Sequence, residues 1–249
     1  MRTSNPALNP STFENFGDYA VERSTTMTLE GTATKTAMLV VLLSASAGFV
    51  WNALRAAGGL PGVMPYVVGG LVVSLIAGLA MSFRPQWSAM LAPIYAVAEG
   101  AVMGAISAFY EAQFHGIVFQ AICLTLGTLF SLLTMYRTGI IKATENFKLG
   151  VFAATGGIAM LYLVSMLMNM FHYQMPYLHS NGLIGIGINV VVVIVAALNL
   201  VLDFDFIEEG AKRGAPKYME WYAGYGLLVT LVWLYVEFLR LLSKLNSRD

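Results

Sequence analysis

Three carboxylic acids stand inside long apolar stretches of this chain: Glu99, Asp203 and Glu237. A carboxylate at membrane depth costs about 2.5 to 3.5 kcal/mol on insertion scales, so an acid that is kept there usually faces protein or water. Such acids recur in proton relays and ion pathways. These three residues are therefore the first candidates for chemistry, and that chemistry is the handling of protons or cations.

Asp203 ends an uncharged run that begins at residue 149, and Asn199 lies one helical turn before it. The two side chains share a helix face and form a short polar stripe. Asp205 points about 200° away from Asp203 around an ideal helix, so the two aspartates cannot both face the inside of a bundle. The pattern predicts Asp203 as a pore-lining acid, and the alternative is a water-exposed helix end over 203 to 209.

Glu99 and Glu237 each have a structural interpretation beside the functional one. For Glu99 it is a protonated or hydrogen-bonded acid inside a bundle. Glu237 precedes Arg240 by three positions, which predicts a local ion pair. If Glu237 instead approached Asp203, the two carboxyl groups would share a proton and form a weak site for a divalent cation. Calcium prefers such hard oxygen ligands, and it would bind only transiently.

The elements that position these acids follow from composition. Of 249 residues 57% are hydrophobic and only 11% are charged, less than half of the roughly 25% charged residues that soluble domains carry. Charged residues are absent from 36 to 54, 56 to 83, 112 to 136 and 149 to 202. Since a bilayer core needs about 20 helical residues, we predict an all-α membrane protein with seven spans, at 34–56, 63–83, 88–110, 115–136, 150–171, 182–206 and 222–243.

Other classes of function find little support in the sequence. There is no HExxH zinc motif, and Asp203 lacks the Gly-x-Gly-Asp setting of an intramembrane aspartyl protease. His115, His172 and His179 fall in predicted loops or at helix ends, where a solvated histidine is more common than a ligand. A net charge of zero gives no sign of nucleic-acid binding, and the lone Cys123 cannot form an internal disulfide. We predict no enzyme activity, no resident cofactor and no firm metal site.

The first 30 residues are polar and form a predicted arm before a helical domain over 31–249. Basic residues near the spans concentrate on the side of this arm, which predicts a cytoplasmic amino terminus. An odd number of spans then places the carboxyl terminus outside, unless the last segment is re-entrant. Small residues predict tight helix contacts, first at the Gly100–Gly104 pair and also at Gly48, Gly156, Gly157, Gly185 and Gly187.

Four stretches of sequence together resemble bacterial members of the Bax inhibitor-1 superfamily, the transmembrane BAX inhibitor motif proteins. They are SNPALNPSTF near the start, APIYAVAEGAVMGAISAFYE in the third span, NLVLDFDFIEEG at the end of the sixth, and APKYMEWYAGYGLLVTLVWLYVEFLRLLSKL through the seventh. The resemblance implies seven helices with the last one central and wrapped by the other six. It also implies a proton-sensitive calcium leak.

The resemblance further assigns roles to residues. It implies an aspartate at the end of the sixth helix, a second acid in the last helix and an arginine after the second helix as a closing latch, which match Asp203, Glu237 and Arg84. The second acid here is Glu rather than Asp, and the stretch between the two acids is longer than in the family. Glu220 and Glu99 are therefore alternative partners for Asp203.

Three functions remain in competition at this point. The first is a pH-sensitive calcium leak. The second, implied by some relatives, is a non-enzymatic protein that binds a membrane protease or another membrane complex through its polar arm. The third is a proton-coupled transporter. The arm and its resemblance favour the inner membrane of a bacterium.

Overall fold

The computed structural model describes residues 25–56, 64–171 and 182–247. Seven helices in these residues are long and apolar enough to cross a membrane. They are α1 (Leu29–Ala56), α2 (Met64–Phe83), α3 (Ser88–Gln113), α4 (Ile117–Arg137), α5 (Glu145–Met170), α6 (Leu183–Lys212) and α7 (Met219–Asn246). A 3₁₀ turn at Pro85–Trp87 joins α2 to α3. The predicted all-α fold with seven spans is confirmed.

The last two helices differ from the sequence prediction at their ends. α6 continues past the predicted end at 206 to Lys212, so the acidic stretch after Asp203 is helical. α7 begins at Met219 and has 28 residues, about 42 Å of helix, which is enough to cross the bilayer completely. The re-entrant alternative is therefore wrong, and the two ends of the helical domain lie on opposite faces. We call the face with the starts of α1, α3, α5 and α7 the amino-terminal face, and the other the carboxyl-terminal face.

α7 lies at the centre of the bundle, as predicted, and contacts all six other helices. It shares the largest buried apolar cluster with α4 and α6. Polar side chains bond to it from α1 through Lys35, from α3 through Ser107 and from α5 through Tyr162. On α2, Gly78 lies against the hydroxyl of Tyr225. Any movement of α7 must therefore change contacts throughout the protein.

α1 and α3 pack with their backbones in close contact. A Cβ atom on Gly100 would lie 2.3 Å from the carbonyl oxygen of Leu43, and one on Gly104 would lie 2.4 Å from that of Ala47. The tight contact predicted for this pair is confirmed. The prediction of a tight helix contact is wrong for four other glycines. They lie on exposed helix surfaces, where an added Cβ would meet nothing within 4 Å: Gly48, Gly156, Gly157 and Gly187.

Large apolar side chains cover the outside of the bundle. Phe49 on α1, Leu75 on α2, Phe119 on α4 and Met166 on α5 are each more than half exposed. A water-soluble monomer rarely exposes so continuous an apolar surface. Lipid tails are the solvent that suits it, and the protein is a multi-pass membrane protein.

Candidate functional site

Asp203 lies on the side of α6 that packs against α7. Its Oδ2 atom is buried and has no hydrogen-bond partner among the described residues. Thr230 of α7 is near enough to interact with the carboxyl group, and no charged side chain of the described residues does so. We call this α6–α7 contact the seam; besides Asp203 and Thr230 it contains the buried apolar residues Leu200, Phe204, Leu227 and Leu231.

Asp205 points away from Asp203, as the helical spacing predicted. Its Oδ2 atom lies 2.8 Å from Nζ of Lys148 at the start of α5. The hydroxyl of Tyr136 on α4 lies 3.4 Å from Oδ1 of Asp205. The same hydroxyl donates a hydrogen bond of 2.6 Å to Oε2 of Glu208. Asp205 thus joins the ends of α4, α5 and α6 on the amino-terminal face. It is not part of the seam.

Asn199 faces α5, whereas Asp203 faces α7. Its amide nitrogen donates to Thr155 Oγ1 of α5 at 2.8 Å and to the carbonyl oxygen of Val195, also at 2.8 Å. The polar stripe expected from the i, i+4 spacing therefore divides between two neighbours, since its first residue contacts α5 and its second contacts α7. Asn199 holds α5 against α6.

Glu237 is fully buried near the carboxyl-terminal face and has three polar partners. Its Oε1 atom accepts bonds from Arg240 Nη1 at 2.8 Å and from the hydroxyl of Tyr162 on α5 at 2.9 Å. Its Oε2 atom accepts a bond from the amide of Asn189 on α6 at 3.3 Å. The predicted local ion pair with Arg240 is thus present, and it is one part of a network over three helices. Lys244 extends this network, donating to Asn189 Oδ1 at 2.5 Å.

Asp203 and Glu237 do not approach each other. Glu237 lies beside Asn189, which precedes Asp203 on α6 by fourteen residues, or about 21 Å along a helix. The alternative in which these two acids share a proton and a divalent cation is therefore wrong. The reason is the position of Glu237 in α7, eighteen residues after the helix starts at Met219, or about 27 Å along the axis, which places it near the far face of the bundle.

Glu99 on α3 is half-buried beside hydroxyl groups. Ser74 of α2 interacts with its carboxyl group, and Tyr95 and Tyr225 lie near it. The two tyrosine rings meet edge to face with their centroids 4.8 Å apart. Tyr225 and Thr230 lie about 140° apart around α7, so Glu99 and Asp203 stand on different sides of the last helix. Glu99 is not the partner of Asp203.

Arg84 does not reach the seam. It follows α2 directly, its side chain is exposed, and its guanidinium lies over the ring of Trp87, 5.8 Å from the centroid. No described acid forms an ion pair with it. Its role as a latch stays a prediction that the present conformation does not support, because the side chain is exposed and lies over Trp87.

A buried ionic cluster on the amino-terminal face surrounds Glu220, in the first turn of α7. Its side chain is fully buried, with Lys35 Nζ at 2.5 Å from Oε2 and Lys217 Nζ at 2.9 Å from Oε1. The backbone nitrogen and the hydroxyl of Thr28 each donate to Oε1 at 2.9 Å. Gly31 leaves the room for this carboxylate, since a Cβ there would lie 2.1 Å from Oε1.

Only part of this cluster can be predicted from the sequence. The sequence makes Glu220 an alternative partner for Asp203, whereas two of its partners in the structure, Lys35 and Thr28, lie far away in the chain. Thr28 shows a capping pattern, because its hydroxyl accepts a bond from the Gly31 nitrogen at 3.0 Å and starts α1. That pattern predicts a helix start and says nothing about the acid that the same hydroxyl contacts.

No group of three or more His, Cys, Asp or Glu side chains suited to a metal ion occurs in the part of the chain that the structure describes. His115 is exposed in the connection between α3 and α4. His172 and His179 lie outside the described residues. Among the described acids, Asp203 thus has one buried oxygen without a partner, whereas Glu220 and Glu237 are each paired with basic side chains.

The family model described as Bax inhibitor 1 like matches residues 5–247. The chain belongs to this family. The match covers nearly the whole sequence, including Glu99, Asp203 and Glu237. No curated protein and no solved structure matches the chain significantly. The family assignment therefore rests on the complete helical domain.

Proposed function

We propose that this protein is a pH-sensitive leak pathway for cations, with calcium as the expected ion and Asp203 as its sensor. The single observation that supports the proposal is the buried Oδ2 atom of Asp203, which has no partner among the described residues. A carboxylate buried without a partner is unfavourable unless a proton or a cation neutralises it. The site therefore responds to both.

The seam is closed in the present conformation. Leu200 and Phe204 of α6 are buried in one apolar cluster with Leu227 and Leu231 of α7, and apolar surroundings of this kind suit a protonated carboxyl group. Ionisation would place a charge among them, and hydration of that charge would favour separation of α6 from α7. The hydroxyl of Thr230 and the single carboxylate of Asp203 would bind a cation only weakly. Weak binding suits conduction, because the ion must also be able to leave.

Calcium flux through purified protein in liposomes tests this proposal. We expect flux to be greater in alkaline than in acidic buffer, and Asp203→Asn to abolish that difference. Asp205→Asn is the matched control, because this residue belongs to the same helix end but is paired with Lys148 outside the seam. Unchanged flux in Asp203→Asn would refute the role of this residue.

Absence of flux at every pH would move the assignment to the second function, an interaction protein that restrains a membrane protease or another membrane complex. The predicted contact is the polar arm, most of which lies outside the described residues. Deletion of residues 1–24 should then abolish co-purification of the partner, whereas Asp203→Asn should leave it unchanged.

We further propose a bacterial inner membrane with the amino-terminal face in the cytoplasm. The support is positive charge, because most basic residues of the described chain lie on this face: Lys35, Arg84, Arg137, Lys142, Lys148, Lys212, Arg213 and Lys217. In a Cys123→Ser background, a thiol at Ile140 should be shielded in intact cells from an impermeant maleimide, and one at Gln113 should be labelled. The opposite pattern would invert the topology.

A further inference from the structure

The four residues before α1, Thr25–Thr28, cross the connection between α6 and α7 on the amino-terminal face; we call them the strap. Thr26 and Pro216 form an antiparallel β-bridge. The nitrogen of Met27 donates to the carbonyl oxygen of Ala215 at 2.7 Å, and the nitrogen of Lys217 donates to that of Thr25 at 2.9 Å. Backbone bonds thus hold the strap to the connection along its length.

Thr28 and Met27 of the strap make further contacts. Thr28 donates both its backbone nitrogen and its hydroxyl to the buried carboxylate of Glu220. Met27 is only 2% exposed. Its sulfur lies against Gly210, where an added Cβ would be 3.0 Å away from it. Gly210 follows Asp203 on α6 by seven residues, about 10 Å along the helix. Met27 therefore covers the end of α6 nearest to the sensor.

Glu220 connects the strap and α1 to the first turn of α7. Its carboxylate holds Thr28 of the strap, Lys35 of α1 and Lys217 of the connection together. Removal of one member of a buried ion pair is strongly destabilising, because the remaining charge is left uncompensated. These contacts fix the first turn of α7, and displacement of the strap would remove the two hydrogen bonds that Thr28 donates to Glu220.

We propose that the strap is a latch: its contacts with Ala215, Lys217 and Glu220 close the amino-terminal end of the seam, and its displacement admits water and cations to Asp203. This inference deepens the proposed function and rests on it for its consequence in flux. It assigns regulation to the segment that joins the polar arm to α1. A force or partner acting on residues 1–24 would act directly on the strap.

A reversible cross-link tests the latch. Residues facing each other in an antiparallel bridge have Cα atoms about 4.5 to 5.5 Å apart, within the range that a disulfide accepts. In a Cys123→Ser background, Thr26→Cys with Pro216→Cys should form a disulfide that locks the strap. Adding Thr230→Cys to the same protein places a thiol in the seam, where its reaction with an impermeant, charged thiol reagent reports access without any need for flux.

We expect the thiol at position 230 to react about tenfold faster after reduction than in the locked protein, since protection follows local opening. A protein with Thr230→Cys but no strap cysteines, given the same oxidant and reductant, controls for the treatment. In that control protein Glu220→Gln should speed the reaction, while Glu209→Gln, which breaks an exposed pair with Arg213 on the same face, should not.

Failure of the disulfide to form, or equal reaction rates in the locked and reduced proteins, would overturn the latch. Flux measured in the lockable protein without the change at position 230 separates the two proposals. Flux that falls on oxidation and returns on reduction supports both. If no protein shows flux, the leak function fails, while the labelling rates still decide whether the strap closes the seam.

Discussion

Gly100 lies where α3 crosses α1, and its replacement by alanine should weaken this contact by a measurable amount. The added Cβ would lie 2.3 Å from the carbonyl oxygen of Leu43, where ordinary van der Waals contact begins at 3.4 Å. The helices would have to separate by about 1 Å, and overpacking of this kind costs about 1 to 3 kcal/mol. The backbone of α1 cannot turn aside as a flexible side chain would.

The matched control is Gly156→Ala in α5, where the new Cβ meets nothing within 4 Å. Both substitutions replace glycine in a helix interior and gain about 0.8 to 1.0 kcal/mol of helix propensity. Because this gain is common to both variants, the difference between them isolates the clash. We expect Gly156→Ala to match or exceed the wild type in stability and Gly100→Ala to be less stable than Gly156→Ala by about 1 to 3 kcal/mol.

Unfolding in detergent micelles by a denaturing detergent, followed by tryptophan fluorescence, measures these free energies. Equal stability of the two alanine variants would refute the close packing of α1 on α3. A loss in Gly100→Ala that Gly156→Ala shares would also refute it, because the cause would then be the helix rather than the contact.

Two further predictions concern the buried ionic clusters. Arg240→Met leaves the buried carboxylate of Glu237 without its cation and should lower the free energy of unfolding by about 3 kcal/mol; adding Glu237→Gln should recover most of this loss, and additive losses would contradict the pair. Gly31→Ala should displace Glu220 and cost about 1.5 to 3 kcal/mol in lost charged hydrogen bonds. Gly48→Ala, in the same helix but with open space around its Cβ, should have no such effect in thermal unfolding, and an equal shift in both variants would contradict the cluster.

The number of spans could be predicted because partition into a bilayer is close to additive along the chain. Uncharged runs as long as 149 to 202 leave few arrangements other than helices across the membrane. The packing of Gly100 and Gly104 was also predictable, since their spacing places both on one helix face. The same reasoning failed for Gly156 and Gly157, because a residue type does not reveal which side of a helix meets a neighbour.

The acids show where sequence reasoning reached its limit. The separation of Asp203 from Asp205 followed from helix geometry alone, and the structure agrees. The partner of Asp203 did not follow, because it depends on the start of α7 and on the rotation of that helix. α7 starts three residues earlier than predicted, at 219 rather than 222, which shifts Glu237 by about 4.5 Å along the helix axis. The full length of the span places Glu237 near the opposite face from Glu220.

By itself, then, the sequence determined a membrane protein of seven helices, its buried acids and its family resemblance, since each is a property of single residues or of near neighbours. Only the tertiary structure decided which acid is neutralised and which is not. Glu220 meets Thr28 across 192 positions of sequence, and Glu237 meets Tyr162 across 75, whereas Asp203 keeps a buried oxygen without a partner. Such contacts depend on the rotation and depth of several helices at once, and local spacing carries no information about either.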